Sequence, residues 1–402
     1  MAPQDAELLK KTKMEQVQIQ APKTRALLDS SNQFYQALLG YKPEQTSLQQ
    51  IPESYWNEFS TQRGLNPTSS GIYLPRNQNA IIRDENPLSL FHEYFGHGLY
   101  CEQNLTGRKL VDLEKRLLGE EKDEFSNSKF SLEDLQKFRE KNKTFEELDE
   151  FRKQNLLQYE TFAIWTEYLL SGEHGLREDF ERKYDSLSGQ EKEAIDSVIN
   201  FSEQYGNLAT FYAQGMAKGT TPERVKRLLE DIYKDKLEDV KFALLYGSRK
   251  EFSDIDIFMV GEEIPRIRND WIDVVSYSLN EFEEKRSLFD VEITDPLFSG
   301  EFVFGNRDYL EEQKQRLMGQ LITEETIRHN LNEAETQEKS AYNFSEDSEW
   351  RQIGLSYALT SRLMAENLRK GKRVFTKRDL LHSKRASAED DKPLQSQGGK
   401  KK

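Results

Sequence analysis

Cysteine and long apolar runs are scarce in this sequence of 402 residues. The single cysteine, Cys101, excludes an intrachain disulfide framework and is typical of a protein from a reducing cytosol. No run of about 18 apolar residues occurs, so the sequence predicts no membrane-spanning segment. Residues 1–24 also lack the uninterrupted apolar core of a signal peptide. We therefore expect a cytoplasmic protein with no membrane partner.

The balance of charge argues against a protein that binds nucleic acid over its whole surface. The formal net charge is −14, and charged residues make up 32% of the chain. The exception is residues 362–385, from Arg362 to Arg385, where nine Lys or Arg residues accompany two acids. This stretch is interpreted either as a contact for tRNA or another polyanion, or as the solvated face of a helix.

The chain is long enough for two or three domains, each with its own core. Asn86 followed by Pro87 predicts the start of a helix, and the run from Gly219 to Pro222 predicts a domain boundary. Apolar patterning predicts strands at 71–74, 80–83, 242–246, 255–260 and 271–277, and helices that include 151–170 and 353–368.

Two histidines flank a glutamate in the sequence HEYFGH, which begins at His92. Zinc binds neutral histidine nitrogens and carboxylate oxygens, so His92, Glu93 and His97 have suitable chemistry for a zinc site. In an ideal α-helix, side chains five positions apart point about 140° away from each other around the helix axis. The motif therefore requires one extra residue in the turn, as in a π-bulge. Gly96 is the residue best able to tolerate that distortion.

This HExxGH motif is similar to that of the dipeptidyl peptidase III family of zinc peptidases. The resemblance implies a zinc cofactor held by His92, His97 and a glutamate from a later helix, for which Glu160 is the best match. It also implies that Glu93 is the general base that deprotonates the attacking water. Glu167, seven residues after Glu160, is predicted to hold a ligand histidine through its second ring nitrogen.

The resemblance to this family covers only the two short zinc-binding motifs. It leaves open which residue stabilises the oxyanion, with Tyr205 and Tyr212 as equal candidates.

A second cluster of polar residues follows an apolar strand at 242–246. Gly247, Ser248 and Arg249 form a turn in which the glycine lets the backbone approach a phosphate and the serine can bind its oxygens. Asp254 and Asp256 lie at positions i and i+2 of the next predicted strand, so both side chains point to one face. Two such carboxylates can hold a pair of magnesium ions for phosphoryl transfer.

The GS…SDID pattern resembles the polymerase-β-like nucleotidyltransferase superfamily, over residues 225–305. The resemblance implies Mg²⁺ at Asp254 and Asp256, a nucleoside triphosphate (NTP) at the glycine turn, and a third carboxylate that activates the acceptor hydroxyl. Asp273 is the preferred third carboxylate, and Asp290 is the alternative. In such enzymes a helical segment often builds the acceptor side of the cleft, and residues 306–385 are predicted to do so here.

Together these patterns predict an α+β multidomain protein. The predicted domains are a mostly helical zincin-like domain at 1–220, a small α/β nucleotidyltransferase domain at 221–305, a helical domain at 306–385 and a disordered tail at 386–402. The predicted function is a bifunctional enzyme, a nucleotidyltransferase joined to a zinc metallopeptidase that acts on a protein or peptide. In the alternative, the zincin-like domain is a non-catalytic module that binds a protein for an active transferase.

Overall fold

The computed structural model describes residues 22–62, 66, 68–84, 86–125, 132–216, 221–248 and 254–390. The chain divides into two compact units, Met1–Lys218 and Gly219–Lys402. Both units combine helices with a small sheet, which confirms the predicted α+β class. Within the described residues, no helix is both long enough and apolar enough to cross a membrane.

The N-terminal unit is mostly helical. Its elements are α1 Pro22–Leu39, β1 Ser47–Ile51, α2 Glu53–Gln62, β2 Gly71–Leu74, β3 Asn79–Arg83, α3 Pro87–Ser89, a π-helix Leu90–His97, α4 Gly98–Gln103, α5 Leu105–Phe125, α6 Leu132–Lys141, α7 Lys143–Glu173, α8 Arg177–Tyr184 and α9 Gly189–Ala213.

A three-stranded sheet lies before the π-helix in sequence. Its order is β1-β3-β2, with β1 parallel and β2 antiparallel to the central strand. The predicted strands at 71–74 and 80–83 are confirmed, whereas β1 was not predicted. Within the part of the chain that the structure describes, β2 pairs on one side only, so one row of its backbone N–H and C=O groups faces away from the sheet.

The π-helix packs against α7 in the centre of the N-terminal unit. Phe95 on the π-helix and Phe162 and Trp165 on α7 are fully buried, as large aromatic side chains in a core usually are. A Cβ atom on Gly96 would lie 2.6 Å from the Cα of Ala163 on α7. Gly96 therefore lets two helix backbones approach closely. This packing role comes in addition to the tolerance of a distorted turn for which the sequence singled it out.

The C-terminal unit contains a five-stranded sheet and eight elements of helix in its described residues. They are α10 Pro222–Tyr233, a 3₁₀-helix Lys234–Asp239, β4 Val240–Tyr246, β5 Ile255–Gly261, β6 Ile267–Arg268, β7 Ile272–Tyr277, α11 Leu279–Ser287, α12 Val291–Ser299, β8 Glu301–Gly305, α13 Arg307–Gly319, α14 Glu324–Ala341, α15 Glu349–Arg369 and α16 Lys377–Asp390.

The order of this sheet is β6-β7-β5-β4-β8. Strands β5 and β7 are parallel, and β4 is antiparallel to both of its neighbours, β5 and β8. The three strands predicted in this region are confirmed. The edge strands β6 and β8 were not predicted, because neither the two residues of β6 nor the glycine-flanked β8 carries a clear alternating pattern.

One apolar core joins the sheet to the helices that follow it. Phe242 and Phe258 on the sheet belong to the same buried cluster as Leu317 on α13 and Leu363 and Leu368 on α15. The division into two domains at 305/306 stays a prediction, although both sides of it contribute to this core. The predicted disordered tail at 386–402 begins inside α16, and residues 391–402 lie outside the described part of the chain.

Candidate active sites

The π-helix brings the two histidines of the HEYFGH motif together. It follows α3, where the Asn86 side chain accepts a hydrogen bond from the Ser89 N–H and Pro87 occupies the first turn, as predicted. Hydrogen bonds in a π-helix join residues i and i+5, so His92 and His97 lie one turn apart on one face. Their ring centroids are 4.7 Å apart. The wider turn of the π-helix thus accommodates the extra residue that the five-residue spacing requires.

Glu160 on α7 faces both histidines. Its Oε2 atom lies 3.5 Å from His92 Nε2 and 3.7 Å from His97 Nε2. One ligand atom from each of these three residues lies within 4.8 Å of the others. Two imidazole nitrogens and one carboxylate oxygen form the donor set of a catalytic zinc site, which keeps a position open for water. The residues present therefore fit zinc.

The electrostatics of the two histidines differ. Burial lowers the pKa of His92, but hydrogen bonds to Glu160 and Glu167 outweigh this effect and raise it to about 9. Burial lowers the pKa of His97 to about 3. Burial would raise the pKa of Glu160, yet its contacts with both histidines lower it to about 2. At neutral pH the cluster therefore offers an ionised carboxylate at Glu160 and a neutral imidazole at His97.

Glu167 is fully buried and contacts His92 on the side of the ring that faces away from Glu160. Its Oε2 lies 3.2 Å from His92 Nδ1 and accepts a 2.6 Å hydrogen bond from Lys183 Nζ on α8. The contact with Glu167 fixes the orientation of the His92 ring so that Nε2 faces Glu160. A metal-binding histidine usually has its second ring nitrogen held by a carboxylate in this way. The sequence suggested the contact of Glu167 but gave no signal for Lys183, which lies on a separate helix.

Glu93 is buried against the edge strand of the first sheet. A Cβ atom on Gly71, the first residue of β2, would lie 2.7 Å from Glu93 Cγ, so only glycine leaves room for this carboxylate. Burial raises the pKa of Glu93 to about 7. A carboxylate with a pKa near the working pH can both take up and release a proton, as a general base requires.

Two tyrosines that the sequence analysis did not select lie beside His97. The ring of Tyr159 stacks on the imidazole with centroids 4.0 Å apart, and the ring of Tyr73 lies at 6.2 Å. His97 Nδ1 has no hydrogen-bond partner among the described residues, so the ring is positioned by stacking on Tyr159 and by the contact of its Nε2 with Glu160. The two tyrosines that the sequence offered for stabilising the oxyanion both lie on α9. Tyr205 packs on Phe201, and Tyr212 is buried.

A cavity of about 160 Å³ adjoins these two tyrosines. Its walls are mainly apolar or aromatic, and include Leu110 and Phe151, while Glu114 and Arg152 form an ion pair at the same site. A cavity of this size and polarity suits one apolar side chain.

In the C-terminal unit, the pairing of two parallel strands places two carboxylates side by side. Asp256 on β5 is the register partner of Asp273 on β7, so both side chains leave the same face of the sheet. Asp254 is exposed immediately before β5 and interacts electrostatically with both. Three of the four acids that the sequence selected are therefore brought together.

The fourth acid, Asp290, lies apart from this group in its own network. Asp290 caps α12 and contacts Lys285 Nζ at 2.8 Å and His329 Nε2 at 3.2 Å. These contacts outweigh the effect of burial and lower its pKa. Asp290 is thus a structural carboxylate held by Lys285 and His329, and the geometry favours Asp273 as the third carboxylate.

Burial and mutual repulsion act on the acidic pair. Burial, followed by repulsion from Asp254 and Asp273, raises the pKa of Asp256 to about 7. Burial also raises the pKa of Asp273 in spite of Arg268, whose Nε lies 3.8 Å from its Oδ2. A divalent cation relieves this kind of repulsion between buried carboxylates, so the residues present fit magnesium.

Gly247 forms the turn after β4 and directly contacts Asp256 of the acidic pair. Its φ of +77° is a left-handed conformation, and a Cβ atom there would lie 1.9 Å from Asp256 Oδ2. The backbone of Ser248 hydrogen-bonds to the same carboxylate. The turn therefore fixes the position of Asp256. Arg249, the third predicted nucleotide-binding residue, lies outside the described residues.

Replacing Gly247 by alanine is expected to reduce the nucleotidyl transfer that the sequence predicts at least about tenfold, because the new methyl group would displace the Asp256 carboxylate. The matched control is Gly319→Ala, since a Cβ atom on Gly319 meets nothing within 4 Å. Steady-state transfer rates of both purified variants provide the measurement. Equal rates for Gly247→Ala and Gly319→Ala would show that the turn does not position the site.

The acidic pair opens into a cleft of about 530 Å³. Helices α14 and α15 form the opposite wall, and Lys377 at the start of α16 also lines the cleft. Two other cations of the 362–385 stretch have partners elsewhere in the unit: Arg362 pairs with Glu338, and Arg373 donates a hydrogen bond to the Gln320 carbonyl. Among the described side chains of this stretch, Lys377 is the one that lines the cleft.

Comparison with known proteins adds little to this geometry. No protein family matches the sequence, and no curated protein matches it. Among solved structures, the chain has a weak similarity to a nucleotidyltransferase-like protein from Exiguobacterium sibiricum, with 14% sequence identity and a TM-score of 0.24. The aligned region covers 41% of this chain and 64% of that protein, which is less than two thirds of its length. A likeness of this strength carries no argument about activity, so the functional conclusions rest on the two sites.

Proposed function

We propose that the C-terminal unit is a nucleotidyltransferase that moves a nucleoside monophosphate from an NTP to a hydroxyl acceptor. The observation that carries this proposal is the pairing of Asp256 with Asp273 beside the Gly247 turn at the mouth of a cleft. Carboxylates on adjacent parallel strands and a glycine turn supply the two things that phosphoryl transfer needs, a cation site and a phosphate site.

The residues of the cleft have separate roles in this reaction. Asp254 and Asp256 would hold magnesium, which when bound neutralises phosphate charge. The acceptor oxygen attacks the α-phosphorus, the bond to the β-phosphate oxygen breaks, and pyrophosphate leaves. Asp273 accepts the proton of the acceptor hydroxyl, and its raised pKa suits that task. Lys377, in the same cleft, offers a positive charge to a phosphate of the acceptor or donor.

The test is transfer of the α-phosphate label of each of the four common NTPs in the presence of magnesium. Candidate acceptors are a tRNA pool, total cellular protein and the chain itself. Formation of labelled product with release of pyrophosphate supports the proposal. Absence of transfer to all three acceptor classes, by folded protein that also fails to bind any NTP, contradicts it.

We propose as a second function that the N-terminal unit is a zinc-dependent peptidase. The carrying observation is the convergence of His92, His97 and Glu160, which exists only because the π-helix absorbs the five-residue spacing. Zinc, when bound there, would polarise the scissile carbonyl. Glu93 removes the proton of the attacking water and delivers it to the leaving amine as the peptide C–N bond breaks.

Two neighbouring features favour a peptide as the substrate. Strand β2, which has no further pairing partner among the described residues, begins at Gly71, in contact with Glu93, and an extended peptide can add to such an edge through backbone hydrogen bonds. The apolar cavity beside Tyr159 suits a hydrophobic side chain of that peptide. A mixed peptide library, digested with and without a zinc chelator and read by mass spectrometry, tests this function. Cleavage that a chelator abolishes and zinc restores is the expected result.

If zinc binds but no peptide is cut, the N-terminal unit is better described as a protein-binding module that serves the transferase. Capture of a defined protein that the C-terminal unit then modifies would support that alternative. The two hypotheses therefore differ in one observable, which is peptide hydrolysis that depends on Glu93.

A further inference from the structure

An exposed tryptophan lines the same cleft as the candidate catalytic carboxylates. Trp350, near the start of α15, is 50% exposed, although aromatic side chains of this size are usually covered. It lies on the wall opposite Asp256 and Asp273, where Phe344 and Tyr357 also contribute aromatic surface. The cleft therefore has an acidic side and an aromatic side.

Arg268 connects these two sides. Its Nε lies 3.8 Å from Asp273 Oδ2, and its guanidinium carbon lies 4.5 Å from the centroid of the Trp350 ring. A single side chain thus spans the distance between the carboxylate and the indole. A guanidinium near an aromatic face offers a second flat, cationic surface, and both surfaces are ones on which a planar ring can stack.

We propose that Trp350 and Arg268 form the subsite that binds the nucleobase of the NTP. This inference rests on the proposed nucleotidyl transfer and names the part of the cleft that recognises the base. In a nucleotide only the sugar separates the base from the α-phosphate. A base stacked at Trp350 is therefore compatible with an α-phosphate near Asp256 and Asp273. Arg268 contacts both Asp273 and the same tryptophan. Stacking of this kind accepts any base, because every base has a π-face.

We assign this subsite to the donor base. Asp273, which Arg268 contacts, is the register partner of the magnesium-site residue Asp256, so the subsite lies beside the carboxylates that the donor phosphates approach. Binding of NTP in the absence of any acceptor separates the donor base from an acceptor base. Lys377 lines the same cleft, contacts Tyr357 farther along α15 and acts electrostatically on Asp256, so its charge lies near the carboxylates and not at the proposed base subsite.

The experiment is calorimetric titration of the full-length protein with each magnesium NTP and, separately, with magnesium tripolyphosphate, which has no base. Trp350→Ala is expected to weaken the binding of NTPs about tenfold or more, which is the range that stacking on one aromatic side chain supplies. Trp350→Phe keeps a stacking face and is expected to stay within about threefold of the wild type. Tripolyphosphate should bind all variants equally.

The matched control is Tyr342→Ala, because Tyr342 is 57% exposed in the same unit but does not line the cleft. Unchanged NTP affinity in Trp350→Ala would overturn the subsite, and so would an equal loss of NTP and tripolyphosphate affinity. A change confined to the KM of the acceptor would assign Trp350 to the acceptor and also overturn it. If the wild type transfers nucleotides while Trp350→Ala is unaffected, the subsite alone fails. If folded wild type binds no NTP, the proposed transferase function fails with it.

Discussion

Replacing Asp256 by asparagine is expected to reduce nucleotidyl transfer by about three orders of magnitude, which corresponds to about 4 kcal/mol of lost transition-state stabilisation. An asparagine at this position would keep the volume of the side chain but lose the charge that holds magnesium beside Asp273. The Gly247 turn that abuts this position would remain, so the defect should lie in catalysis and not in folding. The measurement is the rate of label transfer at saturating NTP.

Asp270→Asn is the matched control for this variant. Asp270 is an exposed acid three residues before Asp273, outside the residues that line the cleft, so its loss should leave the rate within about twofold. The thermal stability of Asp256→Asn should not fall below that of the wild type, because the change removes one of three repelling charges. Wild-type transfer rates in Asp256→Asn would remove the paired carboxylates from the mechanism.

The second large effect is expected for Glu93→Gln in the N-terminal unit. Glutamine is isosteric but cannot accept a proton from water, so peptide hydrolysis should fall about 10³-fold or more while zinc content stays unchanged. Zinc should remain because Glu93 is not one of the three residues whose ligand atoms converge. The rate of cleavage of the best library peptide, and the zinc content of the same sample, provide the two readouts.

Glu173→Gln provides the control, since Glu173 is exposed at the end of α7, the helix that carries Glu160. It should leave both hydrolysis and zinc content unchanged. If Glu93→Gln still hydrolyses the peptide at the wild-type rate, Glu93 is not the base. If neither protein hydrolyses any peptide, the hypothesis of a protein-binding module replaces the peptidase.

The sequence was sufficient to predict those features of the two sites that depend on local backbone geometry. The spacing of His92 and His97 predicted a distorted helical turn, and the π-helix confirms it, because a five-residue separation cannot face one way in a regular α-helix. The alternation of Asp254 and Asp256 predicted a shared face of one strand. Because β5 begins at Ile255, Asp254 lies just before the strand, and the shared face stays a prediction. Backbone periodicity was thus sufficient for the two histidines.

Contacts between distant elements could not be predicted in the same way. Lys183 on Glu167, Tyr159 on His97 and Arg268 on Trp350 depend on how separate elements pack. No local pattern marks these residues, because lysine, tyrosine and arginine are common on helices and strands. The choice of Asp273 over Asp290 was also open until the register of β5 and β7 paired Asp273 with Asp256.

Elemental mass spectrometry of the full-length protein determines whether this chain holds a second, metal-dependent site besides the carboxylate cleft. We expect about one zinc per chain in the wild type, in Glu93→Gln and in Asp256→Asn, and its loss in His92→Ala, His97→Ala and Glu160→Ala. Absence of zinc from the wild type, or zinc that persists in all three ligand variants, would contradict this expectation.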